Sequence, residues 1–509
     1  MIEKPESLRE RAAQLLMPRL GSNMPPAVAV ADDVERAARL LESVPVGGFV
    51  IFRGTYDATP AALARLQDLS PTPLLFASDL ERGAGQQLAG ATVFPHAMAF
   101  GHADGPAGAV GQDYASQAAR VTAEEAGSAG VRWLFAPVAD VHSNPVNPII
   151  STRAFSTHPA ECARLVTEFI EGCRAGGGLS TAKHFPGHGE TDTDSHDALP
   201  TVSKTRAQLD EVELIPFRAA IEAGVDAIMT AHVAYPSLDP SGAPATFSAP
   251  ILRGLLRDEL GFRGVVVSDS LLMGAAGEEV SARAPELIAA GVDVLLDVSH
   301  PEVALASILS AVRGGHLSEW LVQEAFERVW SMKTKAAALR DASRPDGPEL
   351  SQAVASKAIE VTGNLRAVLS GSQQIPLIVI RPHTDYPDPT RADTASILAE
   401  ASDRFVLCEV GPDTTKTEIM TILERVAAAG TAVLALVVKP AAWHAFGLLP
   451  WQHAFSESVL RTVPTVLCVL GSPDADRTLS APAVRIASFS DVESSVRAVS
   501  RVLKDADGA

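Results

Sequence analysis

The sequence is poor in cysteine, short of positive charge, and without any long apolar run. Four cysteines, Cys162, Cys173, Cys408 and Cys468, are scattered over 509 residues with no C-x-x-C pair. That fits neither a disulfide framework nor a thiolate zinc site, and reduced thiols are the expectation. Against 61 Asp and Glu stand only 42 Lys and Arg, a formal net charge of −19. So acidic a surface is a poor counter-charge for phosphate backbones and anionic lipid, which argues against nucleic acid as a partner. No uncharged apolar run approaches the ~20 residues that cross a bilayer; the best, Thr431 to Val438, is strand-length. Glu3, Lys4, Glu6, Arg9, Glu10 and Arg11 interrupt the segment from Met1 to Met17, so it lacks the apolar centre of a secretory signal. The expectation is a soluble, cytoplasmic protein with no membrane partner. A phosphate-cradling Gly-rich loop and a standard metal motif are also missing, consistent with chemistry that needs no cofactor.

What is present is ordinary globular material, with 47% apolar and 20% charged residues, in a length that suits two or three domains. From about residue 45 to 297 short apolar runs alternate with helical patterns, the pattern of parallel βαβ units covered on both faces. Gly47–Phe52, Pro73–Ser78, Val131–Pro137, Leu179–His184, Asp226–His232, Gly264–Asp269 and Val292–Asp297 are the candidate strands. Seven strands over this length exceed what a small open sheet needs, so an α/β fold of the (β/α)8-like TIM-barrel type is expected, with a doubly wound sheet as the alternative. An eighth strand is not evident. Asp341 to Gly347 has a linker composition. A second βα series follows, with strands at Pro376–Ile380, Phe405–Val410, Thr431–Val438, Thr465–Leu470 and Val484–Phe489. The expected organisation is a catalytic barrel over 1–340, a linker over 341–365 and a smaller α/β sandwich domain over 366–509.

The densest polar cluster runs from Lys183 to Asp197, at the carboxyl end of the fourth candidate strand. In a barrel that end is the active-site rim. Asp194 and His196 are two apart, close enough for the carboxylate to orient the imidazole and raise its basicity, as a general acid/base requires. The same loop also admits a zinc or manganese site made of His184, His188, Asp194 and His196. The sixth strand ends in Ser268-Asp269, placing a carboxylate at that rim as a candidate nucleophile, or as the N-cap of a helix beginning at Leu271. Asp79, Arg153, Lys183 and His184 follow or end other strands, and together they compose a polyol-binding set.

These stretches resemble the bacterial β-N-acetylglucosaminidases of glycoside hydrolase family 3. The resemblance rests on Lys183-His184-Phe185-Pro186-Gly187-His188-Gly189 followed by Asp194-Ser195-His196. Ser78–Glu81, Phe135–Asp140, Arg153-Ala154-Phe155, Thr230–Val233 and Ser268-Asp269 with Met273-Gly274-Ala275 support it in family order. It implies retaining hydrolysis of terminal β-linked N-acetylglucosamine, with Asp269 as nucleophile and Asp194 with His196 as acid/base dyad. Asp79, Arg153, Lys183 and His184 fall where the family binds the sugar, and His188 where the loop is held. The sequence departs from the common pattern at Arg82-Gly83-Ala84 and at Ser270, where a second aspartate is frequent. The expected partner is a small carbohydrate; the oligomeric state is not legible. The rival functions are a phosphorylase, a non-catalytic sugar-binding protein and a metal-dependent hydrolase.

Overall fold

The computed structural model describes residues 4–105, 113–192, 199–273, 279–339, 347–382, 390–440 and 446–508. Two compact units emerge. The first comprises Met1–Thr92, Ala115–Asn144 and Ala154–Gly347, and the second Val93–Tyr114, Pro145–Arg153 and Pro348–Ala509.

In the first unit the apolar runs become short parallel strands, most of them buried on both faces. Gly48–Ile51 pairs with Leu75–Ser78, which pairs with Trp133–Leu134. A bridge from Trp133 to Leu179 leads on to Thr181–Phe185, then to Ala227–Thr230 and Val265–Val267. A second bridge, Val267 to Val294, leads to Leu295–Leu296. The remaining strand, absent from the sequence-based expectation, is Leu16–Met17 with Arg19–Leu20: the first piece pairs with Leu295–Leu296 and the second with Val50–Ile51. Pairing therefore returns to its start, a TIM-barrel-like arrangement. Pro18 explains why this strand is inconspicuous. Lacking an N–H, it splits the strand into two pieces too short to show a pattern, although its carbonyl still accepts Val50 N at 3.0 Å. Amphipathic helices cover the strands. Pro159–Ala175, with proline in its first turn, buries Cys162, Leu165, Val166, Phe169, Ile170 and Cys173 along one face. Because the strands run in parallel, their carboxyl ends share one rim.

The second unit is built on a six-stranded sheet in the order Glu360–Gly363, Val484–Ala487, Thr465–Gly471, Ala432–Val438, Ile375–Ile380, Phe405–Val410, antiparallel only at the first pair. Alternate residues of its strands enter two apolar clusters. Leu377, Val433 and Cys468 pack with Val496 and Leu503 of helix Glu493–Asp507, while Ile378, Leu434 and Val469 pack with Val426 and Phe455 of helices Lys416–Ala429 and Pro450–Thr462. Helices thus cover both faces. Much of the segment 341–365, expected as linker, is ordered: Pro348–Ala358 is helix and Glu360–Gly363 an edge strand. Ala358 is held by an apolar cluster with Met98, Ala99, Ala487 and Phe489. This cluster also explains why residues near 98, inside the span expected for the barrel, group with the second unit; side chains distant in sequence supply its partners. Among the described residues no helix is long and apolar enough to cross a membrane.

Candidate active site

Asp79 directly follows strand Leu75–Ser78, and Lys183 lies within strand Thr181–Phe185. The Lys183 ammonium is buried, 2.6 Å from Asp79 Oδ1 and 2.7 Å from Glu81 Oε1. An ammonium removed from water needs such partners. In return it fixes the more exposed carboxylate, Asp79, as a hydrogen-bond acceptor at the end of its strand.

The next residue, His184, is organised by Asp140. This fully buried carboxylate accepts His184 Nδ1–H at 2.8 Å, His184 N at 3.2 Å and His188 N at 2.6 Å. The loop that follows is tightly seated. Gly187 O accepts the Tyr235 hydroxyl at 2.6 Å, and a Cβ on Gly189 would stand 1.6 Å from Val141 O, so only glycine fits there. Glu190 is held by Lys204 and by Ser143, each at 2.8 Å. Beyond the loop, Val202 N and Pro200 O bond the backbone of Ala234, both at 2.9 Å. Asp194 and His196 lie outside the described residues, between these two anchored flanks. Asp140→Ala removes an acceptor from three buried N–H groups, and a loss of roughly 3 kcal/mol in unfolding free energy is expected, measured by urea denaturation; an unchanged midpoint would show that Asp140 does not organise the loop.

His188 is buried with Nδ1 2.9 Å from Thr191 Oγ1. Burial first, and then the neighbouring His184, pull its pKa from 6.5 down to about 4, against the raising effects of Asp140 and Asp269. Between those values the unfolded chain binds a proton that the folded chain does not. This contribution is therefore complete above pH 6.5 and is lost as the pH falls through the window, on the order of 3 kcal/mol in all. His188→Asn is expected to flatten the acid limb of the stability profile, read as urea midpoints above and below the window; an unaltered slope would refute it.

Asp269 follows strand Val265–Val267 and the buried Ser268, and it is half-exposed. It caps no helix, since Leu271–Met273 form a turn; its Oδ1 instead accepts Ser270 N at 2.7 Å. The Ser270 carbonyl accepts from His232 Nε2 at 3.1 Å, and His232 Nδ1 is 2.8 Å from Thr246 Oγ1. Thr181–Phe185 and Val265–Val267 both run parallel to Ala227–Thr230, so the nucleophile candidate and the histidine loop leave the same end of the strands.

Thus Asp79 and Lys183 meet directly, and His184 and Asp269 share their rim. Arg153 is placed differently. It ends the short turn Ser151–Arg153 in the second unit, where its Nη1 donates to Ile149 O at 3.1 Å and Ser151 Oγ is 2.9 Å from Ser472 Oγ. Three residues escaped the sequence reading as site residues: Glu81, Asp140 and His232. Each sits in a stretch noted above, Ser78–Glu81, Phe135–Asp140 or Thr230–Val233, but only distances reveal its work. Among the described residues no group of three or more His, Cys, Asp or Glu is arranged to hold a metal ion.

The Glycosyl hydrolase family 3 N terminal domain matches residues 7–332. The chain belongs to glycosyl hydrolase family 3. It is 33% identical over 331 residues to Beta-hexosaminidase A of Pseudoalteromonas piscicida, a match covering 58% of this chain and 55% of that protein, so the chain spans little more than half of that relative. With the Beta-hexosaminidase of Thioalkalivibrio sulfidiphilus (strain HL-EbGR7) identity is 38% over 286 residues, 55% of this chain and 80% of the relative. Among solved structures, a glycoside hydrolase family 3 beta-N-acetylglucosaminidase from Paenibacillus sp. str. FPU-7 superposes with a TM-score of 0.84 at 29% identity, covering 99% of this chain and 97% of that one. The resemblance drawn from the motifs and the match of the family agree.

Proposed function

We propose that this family 3 chain is a retaining exo-β-N-acetylglucosaminidase. What supports the reading is that Asp79, Lys183, His184 and Asp269 lie at or just beyond the carboxyl ends of parallel strands, with Lys183 paired to Asp79 and His184 to Asp140. Asp79, Lys183 and His184 bind the terminal sugar. Asp269 attacks the anomeric carbon, forming a glycosyl-enzyme ester as the bond to the leaving oxygen breaks; His196, as imidazolium oriented by Asp194, gives that oxygen a proton. The neutral imidazole then takes a proton from water, whose oxygen attacks the anomeric carbon and frees Asp269. Two inversions return the β-anomer. The proposed setting is cytoplasmic recycling of cell-wall or chitin fragments, in keeping with four cysteines that are all buried and unpaired.

A panel of aryl β-glycosides differing only at the 2-position tests this, with the released sugar and its first anomer both recorded. Preference for the 2-acetamido sugar and initial release of the β-anomer are expected. Release of the α-anomer would overturn the retaining mechanism, a sugar 1-phosphate formed in phosphate buffer would make the enzyme a phosphorylase, and binding without turnover would leave a sugar-binding protein.

A further inference from the structure

Asp269 accepts a hydrogen bond from its neighbour Ser270, which is itself fixed at both its carbonyl and its hydroxyl. The Ser270 carbonyl is fixed by His232 as described, and the Ser270 hydroxyl donates to Asp297 Oδ2 at 2.7 Å while accepting Leu272 N at 3.3 Å. Asp297 follows strand Leu295–Leu296, is almost fully buried, and has φ +61°, a left-handed conformation in which aspartate is enriched. Its N–H bonds Met17 O at 2.7 Å. Its carboxylate is gripped by Arg19 at both oxygens, Nε to Oδ1 at 2.7 Å and Nη2 to Oδ2 at 2.5 Å. A two-pronged guanidinium–carboxylate pair sets direction as well as charge. Arg19 stands on the strand piece Arg19–Leu20, and its guanidinium lies over the Phe52 ring at 5.5 Å.

The consequence is geometric. Asp269 Oδ1 is bonded to Ser270 N, so a shift of the Ser270 backbone, which its anchored hydroxyl restrains, moves that N–H and carries the carboxylate with it. The ion pair between Arg19 and Asp297 is made without Ser270; the serine hydroxyl links the pair to the turn bearing Asp269. We propose that Asp297, clamped by Arg19, is a positioning residue for the nucleophile, acting through the Ser270 hydroxyl to aim the Asp269 carboxylate. This rests on the proposed role of Asp269.

The test is kinetics on an aryl β-N-acetylglucosaminide with Ser270→Ala, Ser270→Thr, Asp297→Asn and the Ser270→Ala/Asp297→Asn double variant. Because a displacement near 1 Å misaligns the attack, Ser270→Ala and Asp297→Asn should each lower kcat by about ten- to a hundredfold. Product inhibition by N-acetylglucosamine should stay unchanged, since sugar binding is separate. Ser270→Thr, which keeps the hydroxyl, should retain most of kcat, and the double variant should lose no more than the worse single one. Wild-type kcat in Ser270→Ala, or losses that multiply in the double variant, would overturn the proposal. If Asp297→Asn does not fold, the contrast between Ser270→Ala and Ser270→Thr decides alone. A wild-type protein that cleaves no glycoside removes the functional reading and the positioning role together, whereas wild-type cleavage with unimpaired variants removes only the positioning role.

Discussion

Asp269→Ala is expected to abolish turnover of a chromogenic β-N-acetylglucosaminide, with a loss on the order of 10⁴- to 10⁶-fold in kcat, the scale seen when a covalent nucleophile is deleted. The reason is specific to the covalent route: without the carboxylate no glycosyl-enzyme ester forms, and water must attack an anomeric centre whose reacting face is built for another group. Removing the side chain also opens a small space next to the sugar. Azide, anionic and compact, is expected to occupy it and restore part of the rate, with the glycosyl azide appearing in the inverted, α configuration. The product is identified by NMR. Full activity in the variant, or a β-azide from it, would show that another residue attacks.

His196→Ala is expected to produce a different pattern if His196 is the proposed general acid, because such a group matters in proportion to the basicity of the oxygen it protonates. Loss of such a group costs about 10²- to 10⁴-fold where proton transfer is needed. The drop in kcat/KM should therefore be severe with a poor leaving group such as a sugar hydroxyl, and slight with dinitrophenolate, which departs unaided. On the activated substrate the second step then limits, and a burst of phenolate followed by slow turnover is expected. Azide should accelerate that step and yield the retained, β-azide, the opposite configuration to the one expected for Asp269→Ala. Asp194→Ala should follow the same trend with a smaller loss, as the imidazole remains but its orientation is no longer set. An equal fall on all leaving groups would place His196 outside proton transfer.

Much of the site was legible in one dimension. Apolar runs buried on both faces identify parallel strands with little ambiguity, and polar residues that end such runs point to a common rim; Asp79, Lys183, His184 and Asp269 are candidates chosen in that way, and each stands in or just after a described strand. The strand at Leu16–Leu20 was not, because Pro18 divides it into fragments below the length at which periodicity carries information. The turn after Asp269 was ambiguous for a related reason. An aspartate before Leu271-Leu272-Met273 reads equally well as a helix cap, and only the observed turn at Leu271–Met273 distinguishes the two.

Local chemistry along the chain thus determined the α/β class, the family resemblance and the candidate groups proposed to act on a glycoside, since strand burial, turn residues and motif spacing are properties of neighbours in sequence. Tertiary structure alone decided which carboxylates serve the others. Asp140 beneath two histidines, Glu81 beside Lys183, and Asp297 between Arg19 and Ser270 join residues 44, 102, 278 and 27 positions apart. It also decided that Arg153 belongs to the second unit. A buried charge must find its partner in space, and no spacing in sequence records where the closed sheet will bring one.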